Sequence, residues 1–163
     1  MNRRTNLILS IFVTLLMLSG GISVSAQGFP KKALASVTEE RARNIVGFLA
    51  DDLLQGRDAG MQGGYLAAEY IVSLFKEWGV EPFLESGYCQ PFTAVKNVNN
   101  WLTEADRDIA PLIADGCETR QLRNILAVIP GKEDGIVVVG AHYDHLGIDA
   151  TLQGDSCFNG ADD

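Results

Sequence analysis

The chain has 163 residues, a formal net charge of −8 and a hydrophobic content of 47%. An acidic chain lacks the excess of lysine and arginine through which proteins bind nucleic-acid phosphates, so no nucleic-acid partner is expected. The three cysteines, Cys89, Cys117 and Cys157, are an odd number, so they can form at most one internal disulfide and must leave one thiol over.

The first 26 residues indicate a secretory signal peptide. Arg3 and Arg4 make a basic start, an apolar stretch runs from Leu7 to Leu18, and small residues up to Ala26 form a cleavage region. The apolar stretch is shorter than the ~20 residues that a membrane-spanning helix needs, so we expect cleavage rather than a membrane anchor. Residues 27–163 are then expected to belong to one exported domain, in the periplasm or outside the cell.

The spacing of apolar residues predicts two amphipathic helices. The first covers about residues 37–54, and its apolar side is expected in the core. A glycine-rich turn follows at residues 55–64. A structural role is favoured there over a phosphate cradle, because no Lys-Ser or Lys-Thr pair follows it. The second helix runs from Tyr65 to Trp78 and is ended by Gly79. The apolar positions of the first helix are Ala42, Ile45, Val46, Leu49 and Leu53.

Three strands are predicted after the helices. One is expected at residues 90–95 and another at residues 124–129, where Pro130-Gly131 and a charged turn end it. The third, residues 136–139, is an unbroken β-branched run of the kind that is buried on both faces of a sheet. Helices combined with closely spaced apolar strands predict an α/β fold in which helices cover the sheet.

His142 and Asp144 come directly after this third predicted strand, where ligands bind in open α/β sheets. Residues two apart on an extended backbone point to the same side. Asp144 can therefore accept a hydrogen bond from one imidazole nitrogen while the other nitrogen binds a metal. Such a pair is often only a satisfied polar pair, and the later Asp162-Asp163 pair also suits an ordinary turn. The position after a strand favours a metal site.

A nucleophile-based site is the weaker interpretation. His142 and His145 are the two histidines of the chain. Ser156 and Cys157 are candidate nucleophiles near His145 in sequence, but no neighbouring residue type would activate either one. Metal chemistry is therefore preferred.

Four stretches, in order along the chain, form a pattern with a known counterpart. They are Leu54-Gln55-Gly56-Arg57 with Gly60 and Gly63, the helix from Tyr65 to Gly79, Arg123-Asn124-Ile125 to Pro130-Gly131, and Gly140-Ala141-His142-Tyr143-Asp144-His145-Leu146-Gly147 through Gly160-Ala161-Asp162-Asp163. This pattern resembles the co-catalytic zinc peptidase family of bacterial leucyl aminopeptidases, glutamate carboxypeptidases and glutaminyl cyclases. The resemblance is specific in the last stretch and looser at the helices.

The resemblance implies a three-layer αβα domain with a mostly parallel or mixed central sheet and two zinc ions at the strand ends. His142 matches the histidine ligand of one zinc, and Asp162 matches the aspartate that bridges both ions. Asp144 matches the catalytic-site carboxylate behind the histidine. Asp163 occupies a neighbouring position without being an expected primary ligand. Met61 departs from the small hydroxyl residue that is common between the family's glycines.

In the family, a Glu-Glu pair with the general base, a further acidic ligand and a second histidine ligand lie downstream of the Asp-Asp motif. Catalytic zinc needs about three protein ligands per ion, so His142 and Asp162 cannot complete a two-metal centre. The 163 residues are therefore expected to be the front part of a catalytic domain, truncated within its metal motif and inactive alone.

The implied activity is that of an exported zinc-dependent exopeptidase, in first place an aminopeptidase. It would hydrolyse the N-terminal bonds of peptides or small proteins with a zinc-activated water. Two alternatives stay open. One is a glutaminyl-cyclase-type acyl transferase with a single zinc. The other is a non-catalytic ectodomain that keeps the fold as a binding module.

Overall fold

The computed structural model describes residues 31–161, without the side chain of Lys32. The chain divides into two units with a boundary after Thr38. The first unit contributes helix α1 (Lys31–Ser36), and the second contains the other described helices and strands. Within the described range, every helix is too short or too polar to cross a membrane.

Three sequence-based predictions fall outside the described residues. They are the signal peptide at residues 1–26, the metal ligand Asp162 and its neighbour Asp163. All three stay predictions.

The two amphipathic helices are confirmed as helix α2 (Glu39–Leu49) and helix α3 (Gln62–Glu77). Helix α2 ends earlier than predicted, because Asp51 caps a separate 3₁₀ segment, Asp52–Arg57, by accepting a 2.9 Å hydrogen bond from the amide of Leu53. Helix α3 ends as predicted, since Gly79 follows it with a φ of +67°.

The described strands form two antiparallel sheets. The larger has the order β3-β2-β4 and the smaller pairs β1 with β5. The strands are β1 (Glu81–Pro82), β2 (Cys89–Asn97), β3 (Asn100–Leu102), β4 (Thr119–Ile125) and β5 (Ala127–Val128), with a short helix α4 (Ala110–Ala114) between β3 and β4. The strand predicted at 90–95 is confirmed, whereas the one predicted at 124–129 is divided between β4 and β5. The fold is mixed α/β, and its described sheets are antiparallel rather than mostly parallel.

The strand predicted at residues 136–139 is not formed. Ile136 to Val139 pair with no described strand, and their side chains are 86%, 89% or 92% exposed. A β-branched run becomes a buried strand only where neighbouring strands supply hydrogen-bond partners and packed elements cover its side chains. No strand in the described part of the chain pairs with this run.

The apolar side of helix α2 is also less buried than the spacing of its apolar residues predicts. No residue of α2 is fully buried, and Val46 is 43% exposed. Leu53, in the 3₁₀ segment, is 82% exposed. The physical reason is the same, because the sheet expected to cover this side is not assembled around residues 136–139.

Aliphatic residues build the buried core of the second unit. Its members are Leu54, Ala67, Ala68, Val72, Ala94, Val95 and Ile109. Helix α3 approaches the 3₁₀ segment backbone to backbone, since a Cβ at Gly63 would lie 1.7 Å from the carbonyl oxygen of Leu54. Only glycine permits this contact, which positions the turn before α3.

Candidate functional site

A cleft of about 660 Å³ lies in the second unit. Helix α2, helix α3 and strand β4 supply apolar wall residues such as Val46, Ile71 and Leu122. Residues 138–144 form a further wall, which includes His142 and Asp144. The structure therefore places both predicted residues beside a concave space of the size that binds small ligands.

The side chains of His142 and Asp144 lie next to each other. Nδ1 of His142 is 2.9 Å from the backbone carbonyl oxygen of Asp144 and 3.6 Å from its Oδ1. The hydrogen bond of roughly 3 Å expected between the two side chains is thus made to the backbone, with the carboxylate at ion-pair distance. Because a carbonyl only accepts, Nδ1 carries the proton in this contact. In the neutral tautomer with this proton on Nδ1, Nε2 carries the lone pair through which histidine binds metals.

Arg57 is the buried charged residue of the described chain, with 4% of its surface exposed. Its Nε donates to the carbonyl of Tyr143 (2.9 Å), and its two Nη atoms donate to those of Asn159 (2.7 Å) and Gly160 (3.0 Å). A further contact reaches the carbonyl of Leu49. Burial lowers the pKa of Arg57, while the negative charge of Asp144 opposes that shift. The Arg57 side chain thus joins three parts of the chain. They are the end of α2, residues 142–147 (the His142 segment) and residues 158–160, which precede Asp162 in the sequence.

The backbone around Arg57 is left-handed. Gln55, Gly56 and Arg57 have φ values of 51°, 63° and 49°. Positive φ is uncommon for residues other than glycine and is held only where the surroundings enforce it. Here the amides of His145 and Gly147 donate to the carbonyls of Arg57 (3.1 Å) and Gly56 (3.0 Å). The glycine-rich turn thus holds the segment that follows His142 through two backbone hydrogen bonds.

Tyr143 fixes the same segment to strand β4. Its hydroxyl donates a 2.7 Å hydrogen bond to the carbonyl of Arg123. Burial raises the pKa of Tyr143 above its ordinary value of 10.0, so the phenol is neutral and remains a donor at neutral pH. Tyr143, the neighbour of His142 in the chain, is therefore held at two points. Its backbone carbonyl accepts from Arg57, and its hydroxyl donates to Arg123.

The alternative nucleophile finds no support in this geometry. Burial, with the negative charges of Asp52 and Asp155 adding to it, raises the pKa of the Cys157 thiol. A raised pKa keeps sulfur protonated and lowers its nucleophilicity at neutral pH. Cys89 and Cys117 are, like Cys157, free thiols. The ring of His145 lies edge-on to Phe158 with 6.5 Å between the ring centroids.

The donor set around His142 fits one zinc ligand with its orienting partner. An imidazole Nε2 with a proton-bearing Nδ1 held by a carbonyl and a nearby carboxylate is the usual arrangement of a zinc-binding histidine. Residues 31–161 contain no group of three or more His, Cys, Asp or Glu side chains placed to hold a metal ion. A complete centre would need ligands beyond the described residues, among which Asp162 is the predicted one.

Arg57 is the site residue that residue patterns did not single out. Its burial carries no local signal, because a lone arginine in a glycine-rich turn normally faces solvent. The one available hint was its place in the Leu54-Gln55-Gly56-Arg57 stretch of the family resemblance. Its partners lie far along the chain and meet it only after folding.

Comparison with known proteins gives no match. No protein-family model, no curated protein and no solved structure is significantly similar to this chain. The function is therefore proposed from the residues and their geometry.

Proposed function

We propose that this chain is part of an exported zinc-dependent exopeptidase, an aminopeptidase of the co-catalytic zinc peptidase type. The observation that carries the proposal is the His142–Asp144 pair on the wall of the cleft, where Nδ1 of His142 faces a carbonyl acceptor and Nε2 is the nitrogen left for a metal. The sequence resemblance supplies the reaction class, and the signal-peptide pattern supplies export. Peptides or small proteins with free N-termini are the proposed substrates.

Each residue has a distinct proposed role. His142 would hold one zinc ion through Nε2, and Asp162 would bridge two zinc ions. Asp144 would act through His142, because its backbone carbonyl lies 2.9 Å from Nδ1 and its carboxylate, at 3.6 Å, favours a proton on that nitrogen. Zinc, when bound, polarises a carbonyl group and lowers the pKa of water. The general base and the remaining ligands are proposed to lie beyond these residues.

The proposal includes a three-layer αβα fold with a mostly parallel or mixed central sheet. Residues 136–139 have the composition of a central strand, and strands on either side would bury their exposed side chains. The half-open apolar side of α2 would be covered by the same sheet. Slow amide exchange at residues 136–139 in a longer protein would support this part, and fast exchange there would refute it.

The test uses the longest open reading frame that contains these residues. The purified protein should hydrolyse an aminoacyl-anilide, lose activity with a chelator and regain it with zinc. His142→Ala and Asp162→Ala should abolish zinc content and turnover, whereas Asp144→Ala should cost ~10 to 100-fold in metal affinity or activity. His145→Ala is the matched control and should be milder than His142→Ala. If His145→Ala strips the metal and His142→Ala keeps it, the ligand assignment is wrong.

The same protein separates the alternatives. Zinc-dependent cyclisation of an N-terminal glutamine peptide, without anilide hydrolysis, would identify an acyl transferase. Absence of both reactions would favour a binding module. The 163-residue chain itself should bind zinc weakly and hydrolyse no anilide, since it lacks enough ligands. Tight stoichiometric zinc in that chain would show that the ligands are misassigned.

A further inference from the structure

We propose that Arg57 is a positioning residue that sets the spacing between the His142 segment and the Asn159–Gly160 segment, which precedes Asp162. The consequence for metal binding rests on the proposed function, in which His142 and Asp162 share a zinc centre. The spacing role itself rests on described contacts alone.

The planar guanidinium spans the two segments. Nε binds the carbonyl of Tyr143, the residue between His142 and Asp144, at 2.9 Å. The Nη atoms bind the carbonyls of Asn159 and Gly160 at 2.7 and 3.0 Å. Because these donors belong to one rigid group with fixed angles, a shift of either segment breaks bonds to the other. Lysine has a single ammonium point and cannot reproduce this fork.

The Asn159–Gly160 segment is packed tightly against this fork. A Cβ at Gly160 would lie 2.8 Å from Nη2 of Arg57 and 2.7 Å from the ring of His145. The side chain of Asn159 donates to the carbonyl of Ala50 (2.9 Å) and to Oδ1 of Asp52 (2.8 Å). Gly160 is confined between Arg57 and His145, and the Asn159 side chain holds the same segment a second time. The position of the segment is therefore tightly restricted.

The buried Arg57 guanidinium and its positive φ both cost folding free energy, which supports a specific role for the bonds that it makes. A buried guanidinium whose hydrogen bonds go to neutral carbonyls gives up more hydration than those bonds return. Arg57 also holds a φ of 49°, which an ordinary residue avoids. Burial of an apolar side chain at this position would avoid the desolvation of a charge, but it would make none of the bonds that join the segments.

Amide exchange on the metal-free chain tests the spacing role. The reporter is the amide of Phe158, which donates to the carbonyl of Gly147 (3.0 Å) and so links the two segments directly. Arg57→Lys should speed its exchange about tenfold or more, as loss of a charged hydrogen bond does. The amide of Lys96, bonded to Glu118 in a different part of the unit, should not change. Arg43→Lys is the control and should change neither, because Arg43 binds Glu39 within helix α2.

A second variant covers the case in which Arg57→Lys unfolds the chain and both amides exchange fast. Gly160→Ala keeps the guanidinium but inserts a methyl group between Arg57 and His145. It should speed exchange at Phe158 and leave Lys96 unchanged. If neither variant selectively affects Phe158, the spacing role is refuted.

A zinc titration tests the consequence for metal binding. It is followed by NMR through the imidazole resonances of His142. Arg57→Lys should raise the zinc concentration at the midpoint ~10 to 100-fold. If Arg57 acts on zinc binding through the proposed His142 and Asp162 ligand pair, its effect should disappear in an Asp162→Ala background. Additive losses would show that Arg57 acts only on general stability and would overturn the proposal. A wild-type chain without any zinc response at His142 would refute the proposed function, while the exchange data would still decide the spacing role.

Discussion

The glycine-rich turn, together with the 3₁₀ segment that overlaps it, behaves in the opposite way to the apolar run at residues 136–139. These two overlapping pieces are largely polar and glycine-rich, yet they contain the buried Leu54, Gly56 and Arg57. The run is wholly β-branched, yet its side chains are at least 86% exposed. The difference is one of partners, because the turn is held by backbone groups from distant segments and the run has no neighbouring strand among the described residues. Residue type alone did not decide burial in either place.

The largest expected effect comes from adding a methyl group in each region. Gly63→Ala should lower the free energy of unfolding by about 3 kcal/mol or more, because its Cβ would overlap the carbonyl of Leu54. Gly135→Ala, next to the exposed run, meets nothing within 4 Å and should change stability by less than about 0.5 kcal/mol. Urea denaturation of both variants measures the difference. Equal effects would contradict the contrast between the regions.

Valine-to-alanine substitution, made once in the core and once in the exposed run, should give the next largest difference in the free energy of unfolding. Val95→Ala should cost about 2 kcal/mol, because Val95 is fully buried and the change removes two methyl groups from the core. Val138→Ala should cost less than about 0.5 kcal/mol, since Val138 is 86% exposed. Denaturation midpoints decide the matter. A similar loss in Val138→Ala would mean that the run is buried in solution.

A smaller effect is expected from Tyr143→Phe, which removes the hydrogen bond to the carbonyl of Arg123. The loss should be about 1 kcal/mol at neutral pH. Because burial raises the pKa of Tyr143 in the fold, the stabilisation is complete below its ordinary value of 10.0 and is lost as the pH rises through the folded value. The gap between wild type and variant should therefore narrow in alkali. A gap that is constant up to strongly alkaline pH would rule out this linkage.

The smallest expected effect on stability is in the exposed loop at residues 149–151. Unlike the apolar run, this loop is stabilised by hydrogen bonds between neighbouring residues. Thr151 donates to Oδ1 of Asp149 from its hydroxyl (2.6 Å) and its amide (2.9 Å), and these bonds lower the pKa of Asp149. Their stabilisation is present above the ordinary value of 3.8 and is lost as the pH falls through the folded value. Asp149→Asn should thus be slightly less stable at neutral pH and equal to wild type in strong acid. A difference that persists in acid would contradict the assignment.

Local patterns predicted the parts of the fold that are stabilised locally. Helix α3 and its end at Gly79 follow from helical spacing and glycine's access to positive φ. The strand predicted at 90–95 forms as part of β2. The division of residues 124–129 between β4 and β5 did not follow, because pairing with β2 and β1 sets these boundaries.

The candidate site divides in the same way. The nearness of His142 and Asp144 follows from two positions of spacing along the chain, so the sequence was sufficient to predict it. The backbone acceptor for Nδ1 and the burial of Arg57 depended on how the segments meet. By itself, the amino-acid sequence determined the helices and the His-x-Asp pair, because these depend on bonds between near neighbours. Tertiary structure alone decided which apolar residues are covered and which arginine is buried, because both depend on groups that are distant in the chain.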